Sequence, residues 1–169
     1  YKTQGTLMVA LTRDHVAELE QLGKAQKERG LQTKWLEPRV LKEIEPNLSP
    51  RQCGALLASD DHQVNPGLLS AALVQANKNA GTHSIAHDGN VLLDQKDGKA
   101  AGVLLENHPQ DDRIEPPWVI GASGAWATEL GGLKDLPLRP VKGQYVRLQG
   151  PSLIKDVIRT PDVYMIPRD

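Results

Sequence analysis

The sequence predicts a mixed α/β (α+β) fold, with helices and strands that do not follow a strict β-α-β alternation. Three observations carry this expectation. Short apolar runs such as Thr6-Leu7-Met8-Val9-Ala10-Leu11 and Cys53-Gly54-Ala55-Leu56-Leu57-Ala58 have strand character. Other stretches repeat apolar residues at helical spacing, as Val16, Leu19, Leu22 and Ala25 do. Thr, Asn, Pro and Gly stand where helices should start and stop. With 39% hydrophobic and 24% charged residues the composition is that of a globular protein, and the absence of Phe leaves aliphatic side chains to build the core.

The elements follow in order. A strand from Gly5 to Leu11 leads to Thr12, an N-cap for an amphipathic helix that Gly30 closes. Thr33–Leu36 is a short extended piece. Pro38 can occupy the first helical position of a one- or two-turn helix carrying Val40, Leu41 and Ile44, and Pro46 ends it. Asn47–Pro50 is a turn, Cys53–Ala58 a strand, and Ser59–His62 a polar turn. Asn65 caps a helix with Pro66 at its start and Leu68, Leu69, Ala72, Leu73 and Ala76 along it, ending near Gly81. Strands are expected at Thr82–Ala86, Val91–Gln95 and Ala101–Glu106. Asp97-Gly98 joins the last two as a hairpin. After a polar loop at Asn107–Asp112, Trp118–Ala122 reads as a strand and a helix can start around Ala125. Gly143–Leu148 alternates like a strand, and Val163–Pro167 is another.

The charge balance is close to neutral, 20 basic against 21 acidic residues for a net −1. That argues against a nucleic-acid or polybasic membrane-surface protein, because both need a positive field. No apolar run reaches the roughly 20 residues of a membrane span. Tyr1–Leu11 lacks a secretory pattern, and the single Cys53 forms no internal disulfide, so a reducing, cytoplasmic compartment is expected.

Local chemistry is sparse. The histidines His15, His62, His83, His87 and His108 have no metal-ligand spacing, and Asp60-Asp61-His62 reads as a solvated turn. Cys53, in its apolar strand, reads as a buried inert thiol. No P-loop and no G-x-S-x-G elbow occurs. Gly121–Ala125 is the one small-residue turn between an apolar strand and a helix, which lets a ligand approach the backbone closely. Tyr164 is either a core tyrosine or a phenol donor to a substrate carboxylate. No catalytic acid–base residue and no metal site emerges.

Together the pieces resemble a known family. Gly5-Thr6-Leu7, Trp35-Leu36-x-Pro38, Glu45-Pro46-x-Leu48 and Asp61-His62-Gln63-Val64-Asn65-Pro66 appear in order. Val119–Trp126 is similar to an apolar strand ending in A-x-G-A-W. Arg139-Pro140-Val141-Lys142-Gly143-Gln144 and Val163-Tyr164-Met165-Ile166-Pro167-Arg168 follow. These motifs resemble those of the glycine oxidases of the thiamine-biosynthesis type, flavoproteins of the D-amino acid oxidase family. Asn65 stands where that family usually has Asp.

The resemblance implies part of a Rossmann-like FAD-binding domain plus a mixed-sheet substrate domain. It assigns residues 1–62 to the substrate domain, 63–135 to the FAD domain and 136–169 to the substrate domain again. It implies FAD as cofactor, with Val91, Ala122, Ser123, Gly124 and Trp126 on the flavin side and Tyr164 on the substrate carboxylate. The reaction implied is oxidative deamination of glycine, a small amine or a D-amino acid. The imine goes on to a 2-oxo acid, and oxygen becomes hydrogen peroxide. A flavin dehydrogenase, a sarcosine-oxidase-like enzyme and a scaffold that has lost its flavin are the alternatives. The family's G-x-G-x-x-G is absent, so the chain is expected to be an internal fragment, inactive alone and a poor FAD binder. A cut sheet leaves an edge and an apolar face exposed, so self-association or a marginal fold is expected.

Overall fold

The computed structural model describes residues 1–107, 113–130 and 136–168. His108 and most of the loop at Asn107–Asp112 lie outside them. The elements run β1 (Thr6–Ala10), α1 (Arg13–Glu28), β2 (Thr33–Leu36), α2 (Pro38–Ile44), β3 (Gly54–Ala58), α3 (Pro66–Asn79), β4 (Val91–Lys96), β5 (Lys99–Leu105) and β6 (Arg113–Ile114). A 3-10 helix (Gly124–Leu130), β7 (Val157–Arg159) and β8 (Tyr164–Met165) complete them. They fall into two compact units, Tyr1–Asn79 with Leu148–Asp169, and Ala80–Arg147.

The first unit is a five-stranded mixed sheet in the order β2-β3-β1-β7-β8. Only β1 and β7 run parallel; the other neighbours are antiparallel. Strand alternation sends Leu7, Val9, Ala55, Leu36 and Ile158 to one face, where Leu41 of α2 completes a buried cluster. Met8, Leu56 and Ala58 form the other face beneath Leu19 of α1.

Local chemistry sets the ends of α1. The Thr12 hydroxyl accepts from the His15 amide at 3.3 Å. At the other end Gly30, at φ +79°, lets its own amide reach Lys27 O and the Leu31 amide reach Gln26 O. That is a Schellman cap, with glycine where the left-handed conformation is required. Gly23 is the contact point with the sheet: a Cβ there would stand 2.9 Å from Leu56 Cδ1. Pro38 begins α2 as expected. Asn65 Oδ1 accepts from the Gly67 and Leu68 amides and caps α3. Yet α3 buries nothing, and Leu68 is 71% exposed.

One carboxylate closes the first unit. Glu45 follows α2, is 0% exposed, and its Oε1 accepts from the Lys155 and Asp156 amides at 2.6 and 2.7 Å. Both donors lie just before β7.

In the second unit β4, β5 and β6 form an antiparallel sheet. The β4–β5 turn has Asp97 at φ 52° and Gly98 at φ 73°, the twin left-handed residues of a type I′ hairpin. Arg113 of β6 pairs with Asp94 at 2.6 Å and Glu115 at 3.0 Å.

Several expected strands do not form. Thr82–Ala86, Trp118–Ala122 and Gly143–Leu148 are irregular. Ile120 is 88% and Val146 83% exposed. A strand exists only against a partner, and among the described residues none of these runs has one. The helix expected around Ala125 is a 3-10 helix, and the expected strand at Val163–Pro167 shortens to Tyr164–Met165. Conversely, Val157–Arg159 and Arg113–Ile114 are strands that the sequence did not suggest. Cys53 precedes β3 rather than lying in it and is half-buried, its amide donating to Ala10 O at 2.8 Å.

Two stability outcomes follow. Gly54 sits at φ +126°, and a Cβ there would stand 2.5 Å from the Trp35 ring and 2.9 Å from Leu36 O. Gly54→Ala should therefore cost about 2 kcal/mol or more in chemical unfolding, from backbone strain and overpacking together. Asp156 is held above its ordinary 3.8, first by burial and then by the charge of Glu45, with Lys155 opposing. A carboxyl raised in the folded state binds its proton more tightly there than in the unfolded chain. Its penalty is thus fully present at neutral pH and absent in acid below 3.8, where both states are protonated. Asp156→Asn should raise the midpoint of urea unfolding at pH 7, and the gain should shrink as pH falls through the Asp156 range.

Candidate functional site

In the second unit the 3-10 helix packs against β4. Ala122 and Ser123 lead into that helix, Gly124 and Trp126 lie in it, and Val91 opens the strand it packs against. The backbone makes the turn through Gly124, whose φ is +58° and whose missing Cβ would face open space. The Trp126 amide then donates to Ser123 O at 3.1 Å.

Three features suit this turn to a flat, polar cofactor. The Ser123 Oγ is buried and has no hydrogen-bond partner. Gly124 offers no side chain to block an approaching group. Ala122, Gly124 and Trp126 are all exposed, while Val91 is half-buried. A buried hydroxyl left unpaired costs about 1–3 kcal/mol, which a ligand acceptor would recover. The residues present therefore fit FAD on this side.

In the first unit Tyr164 lies on β8, at the edge of the five-stranded sheet, and is 61% exposed. It is not a core tyrosine. Its cross-strand partner is Arg159 of β7. The hairpin between them is fixed by the turn Thr160–Val163, in which the Thr160 amide donates to Val163 O at 2.8 Å and the Val163 amide to Thr160 Oγ1 at 2.9 Å. Beside this hairpin a groove of about 780 Å³ runs under α1, lined by Leu19, Leu22, Met8 and Arg159 among others.

The remaining sequence candidates are ordinary. His62 stacks on Tyr1 with ring centroids 6.0 Å apart. Asp60 stands in the turn after β3, with Asp61 and His62 following it outside any strand or helix. His83 and His87 lie in the irregular segment before β4. Among the described residues no three His, Cys, Asp or Glu side chains converge as a metal site would need, and no helix is long and apolar enough to cross a membrane.

Two residues were missed. Glu45 appeared only as part of a motif, and nothing local shows that its carboxylate is buried. Arg159 had a usable signal: Val157-Ile158 followed by Thr160-Pro161-Asp162 is a β-branched pair and a turn, which would have set a hairpin against Tyr164.

The family described as FAD dependent oxidoreductase matches residues 1–169. The hydrogen cyanide synthase subunit HcnC of Pseudomonas aeruginosa is 31% identical over 142 residues, covering 82% of this chain and 33% of that protein. The bifunctional protein ThiO/ThiG of Trichormus variabilis is 30% identical over 141 residues, covering 79% of this chain and 20% of the relative. The crystal structure of glycine oxidase from Geobacillus kaustophilus superposes with a TM-score of 0.81 at 26% identity, over 98% of this chain and 45% of that one. The chain thus spans about a third of HcnC and under half of the glycine oxidase.

If the turn holds a cofactor, Ser123→Ala should weaken FAD binding by the full-length parent about tenfold, one hydrogen bond's worth. Its unfolding midpoint without FAD should stay put or rise slightly. Equilibrium dialysis and thermal unfolding of the FAD-stripped protein check the two halves.

Proposed function

The chain belongs to the FAD-dependent oxidoreductase family, and from that premise we propose that its parent is an amine oxidase acting on glycine or a similarly small amino acid. One observation carries the reading: the likeness to a glycine oxidase runs over 98% of the chain. Tyr164 adds to it, an exposed phenol that a hydrogen-bonded hairpin holds at the sheet edge.

The overall reaction removes two electrons and two protons from the amine to give an imine. Water converts the imine to a 2-oxo acid and ammonia, and oxygen takes up the electrons and protons as hydrogen peroxide. FAD, when bound, supplies the two-electron chemistry. The chain's own residues bind and orient. The Tyr164 hydroxyl donates to the substrate carboxylate and fixes the α-carbon. The Ser123 Oγ donates to the cofactor, Val91 meets it through backbone, and Ala122, Gly124 and Trp126 line it. No side chain here is asked to shuttle a proton, because an amine that binds neutral needs none removed first.

By role, residues 63–135 serve the flavin and residues 1–62 and 136–169 the substrate. α3, which clusters with the first unit, is on this reading a flavin-side helix. The same reading makes the parent a cytoplasmic protein.

The test uses the full-length parent. Glycine added without oxygen should bleach its visible flavin spectrum, and admitting air should restore the colour with release of peroxide. Colour that returns only with an artificial acceptor makes it a dehydrogenase. A flavin that stays yellow with glycine, sarcosine and D-alanine refutes the substrate class. A protein that takes up no FAD is a scaffold. Tyr164→Phe should raise KM for glycine tenfold or more while leaving kcat within about threefold, the loss of one hydrogen bond to a charged group.

A further inference from the structure

The register of the first sheet sets five residues in one row across it: Trp35, Leu56, Met8, Arg159 and Tyr164. Paired residues share a face, so all five point to the same side. α1 covers the first three, through Leu19 on the Met8–Leu56 cluster and Gly23 against Leu56. It leaves Arg159 and Tyr164 exposed.

Arg159 is also chemically unspent. Glu18, Asp60 and Asp61 line the same groove. Among the described residues, however, the Arg159 guanidinium forms no ion pair or hydrogen bond. Its backbone is not free to wander, because the Thr160–Val163 turn locks the hairpin. Directly opposed residues on neighbouring antiparallel strands have Cβ atoms about 4.5–5.5 Å apart. A guanidinium so placed can take a carboxylate with two parallel hydrogen bonds.

From this juxtaposition we infer that Arg159 is a specificity-determining residue, a second anionic anchor beside Tyr164 that favours substrates carrying a carboxylate beyond the α-carboxylate. The inference rests on the proposed role of Tyr164. On it, the α-carboxylate meets Tyr164 and the second acidic group meets Arg159. A monocarboxylate such as glycine uses the first anchor only.

The test is a spectral titration of the oxidised, FAD-loaded parent with two unreactive probes, acetate and malonate, alongside glycine turnover. Wild type should bind malonate more tightly than acetate. Arg159→Gln should weaken malonate about tenfold and acetate by no more than about threefold. Arg159→Lys should restore part of the malonate affinity. Equal weakening of both probes, or of neither, overturns the inference, as does a wild type with no preference for malonate. Tyr164→Phe tells the two proposals apart. If it leaves glycine KM and acetate binding as in wild type, the substrate site itself is misplaced, whatever Arg159 does.

Discussion

A buried carboxylate organises the first unit. Glu45 has no access to solvent, and its Oε1 takes two amide protons from residues 110 and 111 positions further along the chain. An unpaired charge in that position would be costly; the two short amide hydrogen bonds to Oε1 offset part of that cost, while Oε2 is buried without a hydrogen-bond partner. The contact fixes where the returning chain enters β7. From there follow the parallel pairing of β7 with β1, the Ile158 side chain in the Leu7–Leu41 cluster, and the hairpin that carries Tyr164.

What the sequence revealed divides by the range of the signal. Caps and proline act within one turn of chain. So the ends of α1, α2 and α3 were legible from Thr12, Gly30, Pro38 and Asn65. Asp97-Gly98 disclosed its hairpin for the same reason. Thr82–Ala86, Trp118–Ala122 and Gly143–Leu148 carry strand composition, but composition cannot supply a neighbour, and these runs stay unpaired among the described residues. Helix α3 shows the same split within one element: its cap is built and its apolar side chains remain in solvent. Of the proposed site, the turn at Ala122–Gly124 and Tyr164 were singled out through motifs. The hairpin carrying Arg159 had a local signal that was overlooked, but which of its residues faces Tyr164 depends on the register between two strands of two and three residues.

The sparse chemistry of the chain is consistent with its family. Where a cofactor performs the redox step, the protein's part is to hold two molecules in register and keep the surroundings polar in the right places.

The first unit is interrupted in sequence, with Ala80–Arg147 inserted between its two parts. During synthesis β2, β3 and β1 can assemble as soon as they emerge, but β1 then lacks its parallel neighbour. At roughly 5–20 residues per second the insert takes about 3 to 14 seconds to be made. For that interval the nascent sheet carries an open edge along Leu7 and Val9, with Glu45 waiting for its donors. The ribosome-bound chain is thus exposed to mispairing along β1 in that window.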